Sequence, residues 1–284
     1  MINRYLLILL LLANCISCTK SNDENSDEIK ALVLENESYG NHTRQKYDAY
    51  LPEGRNTEET SSLILIHGGS WISGDKSDLN IYLNTLKSRL PQLAYFNINY
   101  RYAIADNEKF PAQEKDIDAA IKKIISKKAE YQISDKYIVA GFSSGGQLSL
   151  LQAYKNYGEN KPSGVISISG PTDLELLYDE YLNPATRILL QTVTGTDPVT
   201  NPQIYRESSP VTYAKEGIPP TLLLHGQLDS IVPVEQALLL KGLLQSIGTE
   251  HQTIIYPSAG HSFYGTNITD ALNKIEEFLK LHLK

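Results

Sequence analysis

The sequence predicts an α/β fold, with a mostly parallel central sheet, helices on both of its faces and one short insertion. Three observations carry that prediction. Short apolar runs without alternation, at Leu63–Ile66, Ile138–Ala140, Gly164–Ser169 and Thr221–Leu224, suit strands buried on both faces. Segments of helical spacing separate them, so strand and helix alternate along the chain. A length of 284 residues with 41% hydrophobic content is enough for one large domain with a sizeable core. The net charge of −7 argues against nucleic acid as the main partner.

Taken in order, the chain opens on a targeting pattern. Arg4 precedes an apolar run from Tyr5 to Ala13, too short to span a bilayer and suited to the core of a signal peptide. Both cysteines follow, in Cys15-Ile16-Ser17-Cys18. This resembles a bacterial lipobox, which implies cleavage after residue 17 and lipidation of Cys18; small Ser17 is a better residue before the cut than Asn14, which precedes the rival Cys15. Residues 1–17 are therefore expected to be a lipoprotein signal peptide. Residues 18–30, with the acidic cluster Asp23, Glu24, Asp27 and Glu28, are expected to be a solvated tether. The expected location is the bacterial cell envelope, with membrane contact through the N-terminal lipid alone. The oligomeric state has no signal in the sequence.

The catalytic domain is expected over 31–284. Gln45–Pro52 alternates like an early antiparallel strand and closes in a Pro-Glu-Gly turn. Leu63–Ile66 follows as a buried strand. Leu79, Leu83, Leu86 and Leu90 mark a helix stopped by Pro91, and Leu93–Tyr100 is the next strand. Pro111 opens a helix with Ile117, Ile121 and Ile124 on its inner side and Lys122, Lys123, Lys127 and Lys128 on a solvated one. The strand at Ile138–Ala140 leads to a helix over 147–157 with Leu148, Leu151 and Tyr154 in register. Beyond Thr221–Leu224, a helix carries Ala237, Leu240 and Leu244. Gln252–Tyr256 is the last strand, and Leu272, Ile275, Leu279 and Leu283 mark the final helix. Residues 174–217, the least patterned stretch, are expected to form a lid.

The chemistry gathers where strands end. Gly141-Phe142-Ser143-Ser144-Gly145 lies on a strand-to-helix turn, the context of a nucleophile elbow. A Cβ at 141 or 145 would collide with the neighbouring strand and helix, while the turn lifts the Ser143 hydroxyl and aims the Ser144 N–H at developing negative charge. His67-Gly68-Gly69-Ser70-Trp71 follows another strand, and its glycines let backbone N–H groups approach a ligand, so Gly68 and Gly69 are the expected partners of Ser144 in an oxyanion hole. Asp229, in the loop after Thr221–Leu224, is preferred as the acid over Asp173. His261, on a Gly-bearing loop before the final helix, is the preferred base; His67 and His225, at strand ends, are expected to order loops. The chain order Ser143, Asp229, His261 matches the nucleophile–acid–base order of one fold of hydrolases.

Those stretches together, with Ser73-Gly74-Asp75-Lys76, Asn99-Tyr100-Arg101 and Phe110-Pro111-Ala112, resemble α/β-hydrolase esterases of the carboxylesterase and feruloyl or acetyl-xylan esterase-like group, with hormone-sensitive-lipase-type enzymes as cousins. The resemblance runs from about residue 45 to the C-terminus. It departs at Ser70, where a third glycine is more usual, and at Ser144, where alanine is. It implies an α/β-hydrolase fold and hydrolysis of short acyl esters through a Ser-His-Asp triad, with acetylated or feruloylated glycans as candidate substrates. The alternatives are an amide hydrolase related to kynurenine formamidases or prolyl peptidases, and a catalytically silent surface binding protein. No metal or cofactor is signalled: there is no H-E-x-x-H, no carboxylate cluster and no glycine-rich nucleotide loop.

Overall fold

A computed structural model describes residues 29–155, 160–180 and 184–284. The expected signal peptide, most of the expected tether, and Cys15 and Cys18 lie outside them. The chain order of elements is β1 (Leu32–Ser38), β2 (Lys46–Leu51), β3 (Ser62–Ile66), α1 (Asn80–Arg89), β4 (Ala94–Ile98), α2 (Ala112–Ser126), α3 (Lys128–Tyr131), β5 (Tyr137–Phe142), α4 (Ser144–Tyr154) and β6 (Gly164–Ile168). It continues with α5 (Leu174–Glu180), α6 (Pro184–Thr194), α7 (Pro202–Glu207), β7 (Thr221–Gly226), α8 (Val234–Ser246), β8 (His251–Tyr256) and α9 (Thr266–His282).

The strands form one sheet in the order β1-β2-β4-β3-β5-β6-β7-β8. From β4 to β8 every pairing is parallel, while β2 runs antiparallel to both β1 and β4. The unbroken apolar runs have the meaning expected of them. Every residue of β3, β4, β6 and β7 is buried, and alternate side chains feed two cores. Ile64, Ile66 and Phe96 enter one core with Ile117 and Ile121 of α2, Leu151 of α4 and Leu240 of α8. Leu63, Leu65 and Tyr95 enter the other with Leu83 and Leu86 of α1 and Leu272 and Ile275 of α9. Burial on both faces removes any reason for polar alternation within a strand.

Two differences from the sequence reading have physical causes. Strand β1 was not expected. It is an edge strand whose side chains are mostly exposed, Leu32 and Val33 included, so burial imposes no pattern on Leu-Val-Leu-Glu-Asn-Glu-Ser. Helix α4 shows only a faint apolar stripe because it is buried on every side, including Ser144, Gln147, Ser149 and Gln152. A helix enclosed all round has no polar face to set up a periodicity.

This topology decides where chemistry can occur. Parallel strands carry their carboxyl ends to one edge of the sheet. The loops after β3, β5, β7 and β8 emerge there, and they hold Gly68 and Gly69, Ser143, Asp229 and His261 respectively.

Candidate active site

Ser143 links β5 to α4 with φ 54° and ψ −122°, a conformation costly for a residue with a side chain. The turn is closed by Ser143 N–H donating to the Ile168 carbonyl at 2.8 Å and by Gly146 N–H donating to the Ser143 carbonyl at 2.9 Å. Close packing demands the glycines around it. A Cβ on Gly141 would lie 2.2 Å from the Gly145 carbonyl oxygen, and one on Gly145 would lie 2.2 Å from that of Ile66. The elbow is thus wedged between β3 and its own helix.

His261 and Asp229 complete a continuous array. The Nε2 atom of His261 is 2.9 Å from the Ser143 hydroxyl, and its Nδ1 is 2.8 Å from Asp229 Oδ2. A carboxylate only accepts, so Nδ1 carries the hydrogen and Nε2 presents a lone pair to the serine. The other oxygen of Asp229 accepts the backbone N–H groups of Ile231 and Val232, each at 2.9 Å. Burial alone would push this carboxyl up. Hydrogen bonds from His225 and His261, the electrostatic attraction of the His261 ring and the Val232 N–H outweigh it and hold Asp229 well below the usual carboxylate range. Asp173, the rival acid, is engaged elsewhere: its Oδ1 accepts the N–H groups of Glu175 and Leu176 at the start of α5.

The loop after β3 comes up against the nucleophile. A Cβ built on Gly68 would stand 3.2 Å from that of Ser143, and one on Gly69 (φ 110°) would meet the Ser73 carbonyl oxygen at 2.1 Å. Ser70 and Trp71 follow in the left-handed region at φ 54° and 62°, so two consecutive residues with side chains hold rarely populated backbone. Their partners hold them there. The Trp71 indole donates to Gln147 of α4 at 3.0 Å, and Ala103 N–H donates to the Trp71 carbonyl at 2.8 Å. The Tyr100 hydroxyl lies 3.3 Å from the Gly68 carbonyl and 3.2 Å from the Ser144 hydroxyl, tying the two halves of the expected oxyanion hole together.

His67 and His225 do order loops, and each does more than strand-end placement implies. His67 is fully buried, stacked on Tyr100, with Nδ1 donating to the Gly68 carbonyl at 2.5 Å. Its Nε2 lies 3.3 Å from Arg44 Nη2, which can only donate, so the ring is neutral; burial lowers its pKa to about 4. His225 donates to the Val232 carbonyl at 2.8 Å and sits 3.3 Å from Asp229 Oδ2, so two histidines face one carboxylate. That contact was invisible in the sequence, because the four-residue step from His225 to Asp229 crosses from a strand into a loop. Ser169, with φ 51°, donates to the His261 carbonyl at 3.0 Å, another support that no motif announces.

The described residues of the stretch 174–217 include α5, α6 and α7. Leu177, Leu189 and Leu190 from the first two wall a cavity that also touches Ser143, Ser70 and Trp71. Among the described residues, no cluster of three or more His, Cys, Asp or Glu side chains is arranged to hold a metal ion, and no helix is long and apolar enough to cross a membrane.

A mostly parallel eight-stranded sheet with an elbow serine, an acid loop and a histidine loop at its carboxyl edge defines the α/β-hydrolase fold. Within it, the chain belongs to the BD-FAE family, whose model matches residues 47–244. The esterase LipC of Mycobacterium tuberculosis is 26% identical over 238 residues, covering 79% of this chain and 58% of its own length. The chain spans about half the length of the curated relatives it matches. Two solved structures share the fold. A bifunctional GH43-CE protein of Bacteroides eggerthii has a TM-score of 0.77 at 23% identity, over 88% of this chain and 38% of that one. A truncated carbohydrate esterase from gut microbiota has a TM-score of 0.73 at 22% identity, over 87% of this chain and 96% of that one.

Proposed function

We propose that this protein is a serine carboxylic-ester hydrolase for short acyl esters, with acyl groups on glycans as its substrates. The observation that carries the reading is the unbroken chain from Asp229 through His261 to Ser143 at 2.8 and 2.9 Å. His261 takes the Ser143 proton as the hydroxyl attacks the ester carbonyl, and Asp229 holds the tautomer and stabilises the imidazolium. N–H groups of Gly68 or Gly69 and of Ser144 receive the oxyanion, each donor contributing roughly 3 kcal/mol to lowering the barrier. The alcohol leaves with the proton from His261, and water then releases the acid by the same steps in reverse. Residues 174–217 act as a lid that shapes the acyl or alcohol pocket. Membership of the BD-FAE family and likeness to esterases, carbohydrate esterases among them, support this reading.

The test is hydrolysis of 4-nitrophenyl acetate by the purified protein beside its Ser143→Ala variant. Turnover is expected to fall by on the order of 10⁴-fold or more in the variant. Equal rates in the two proteins would remove the serine mechanism.

The same reading places the protein in the bacterial envelope through a lipid on Cys18, supported by the apolar run and the Ser17-Cys18 pair. In a bacterial host, Cys18→Ser is expected to move the protein from the detergent phase of a Triton X-114 partition to the aqueous phase. Cys15→Ser is expected to leave it in the detergent phase.

A further inference from the structure

Arg44 stands in the β1–β2 loop, far from Ser143 along the chain, yet its guanidinium reaches the loop that holds Gly68 and Gly69. The turn that carries it is fixed by its own bonds. Gln45 N–H donates to the His42 carbonyl at 2.9 Å, and the Gln45 amide donates to Asp116 of α2 at 2.8 Å. From that turn, Arg44 Nε donates to the Tyr100 carbonyl at 2.9 Å. Its Nη2 donates to the Gly74 carbonyl at 3.0 Å and to Asn99 Oδ1 at 3.2 Å. The guanidinium carbon lies 3.8 Å from the centre of the Tyr102 ring. One planar cation thus ties the loop after β3 to the loop after β4.

A further contact carries the inference. Arg44 Nη2 also lies 3.3 Å from His67 Nε2, and a guanidinium has no lone pair to offer. Nε2 therefore accepts, and the ring hydrogen sits on Nδ1. The Nδ1–H donates to the Gly68 carbonyl, which the Tyr100 hydroxyl also approaches at 3.3 Å. The other tautomer would set a lone pair against that carbonyl and an N–H against the guanidinium. The ring has little room to turn away. It stacks on Tyr100 with centroids 4.4 Å apart, and a Cβ built on Gly74 would lie 2.7 Å from Nδ1.

The consequence falls on the next peptide. Among the described residues the cis bond is Phe110–Pro111, so Gly68–Gly69 is trans. In a trans peptide the N–H points opposite to the carbonyl. Drawing the Gly68 carbonyl onto His67 and Tyr100 turns the Gly69 N–H away from both. That N–H donates to no described residue, which leaves it open to a ligand.

Resting on the esterase reading above, we propose that Arg44 is a positioning residue for the oxyanion hole, acting through His67. Arg44 fixes the tautomer of His67 as Asp229 fixes that of His261. His67 in turn holds the Gly68–Gly69 peptide with its N–H presented to the oxyanion. Arg44 makes no hydrogen bond to Ser143, His261 or Asp229, so its effect on the reaction passes through the ring it orients.

The experiment uses Arg44→Met, which removes every donor and keeps an unbranched stem. Arg44→Lys is the milder second variant, since its single ammonium does not span the acceptors that the guanidinium fork reaches. Two properties are measured on each: kcat and KM for 4-nitrophenyl acetate, and the imidazole nitrogen chemical shifts of His67, assigned with His67→Gln. The wild type is expected to show His67 protonated at Nδ1 alone. In Arg44→Met the Nε2–H tautomer is expected to appear, with kcat down on the order of 10²-fold and KM within about twofold. Arg44→Lys is expected to move the same way, by about tenfold in kcat. Added to His67→Gln, Arg44→Met is expected to change kcat by less than about twofold, because the ring it acts through is gone. Arg55→Gln is the control. Arg55 is buried and donates to the Tyr131, Lys30 and Pro52 carbonyls, so the variant is expected to lose stability and keep kcat. Unchanged kcat in both Arg44 variants, a single His67 tautomer in both, or losses that add fully in the double variant would overturn the proposal while Ser143-dependent hydrolysis stood. Should Arg44→Met fail to fold, the kinetics and shifts of Arg44→Lys decide. Absence of Ser143-dependent ester hydrolysis in the wild type would overturn the esterase reading and the proposal with it.

Discussion

At the scale of single residues, the most informative side chain outside the array is His67. It is neutral because burial penalises its charged form and because a second proton would set N–H against N–H at Arg44. The unfolded chain takes up that proton near pH 6.5, and the native state resists until about pH 4. Stability is therefore full above pH 6.5 and falls as the pH drops toward 4, by up to about 3 kcal/mol over the window. Asp75, whose carboxyl is held down to about 2, titrates below it and does not confuse the measurement. Urea unfolding between pH 7 and 4.5 is expected to show this slope in the wild type and a flatter one in His67→Gln. Parallel slopes would mean that the ring is not held neutral.

At the scale of elements, the strand-to-helix turn and the loop after β3 work as one unit, because each occupies space that the other cannot yield. Gly145 packs directly on the Ile66 and His67 carbonyls, at distances where a Cβ has no room. Gly145→Ala must push α4 away from β3, which separates Ser144 from Gly68. The expected cost is about 2–4 kcal/mol in urea unfolding, with a fall in kcat on 4-nitrophenyl acetate larger than any rise in KM. Gly217→Ala is a weak control, since it adds strain at φ 82° but finds no neighbour within 4 Å. The run of positive φ from Gly69 to Trp71 belongs to the same unit, its strain held by the Trp71–Gln147 and Tyr100 contacts.

At the scale of the whole molecule, one sheet with a core on each face sets the stability on which the strained site draws. Phe96, fully buried in the centre of β4, packs near Tyr47 and Tyr131 in the core that also holds α2 and α4. Phe96→Ala is expected to cost about 3–5 kcal/mol and to lower Tm by roughly 10 °C, with KM unchanged. Val199→Ala, at a side chain 91% exposed, is expected to stay within about 0.5 kcal/mol of the wild type. A similar Tm for both variants would show that this core is not what limits the fold.

The parallel sheet, the elbow and the candidate residues Ser143, Asp229 and His261, which the structure brings together, were legible in the sequence by itself. Burial on both faces forces unbroken apolar runs, close backbone packing forces glycines, and the order of strands along the chain orders the loops that carry the chemistry. What only the tertiary structure decided is which side chains meet across those loops. That Asp173 caps a helix while Asp229 faces two histidines, and that Arg44 from the β1–β2 loop reaches the buried His67, both depend on contacts between distant segments. Contacts of that kind leave no periodicity and no spacing, because the residues that make them are adjacent only after the sheet has closed.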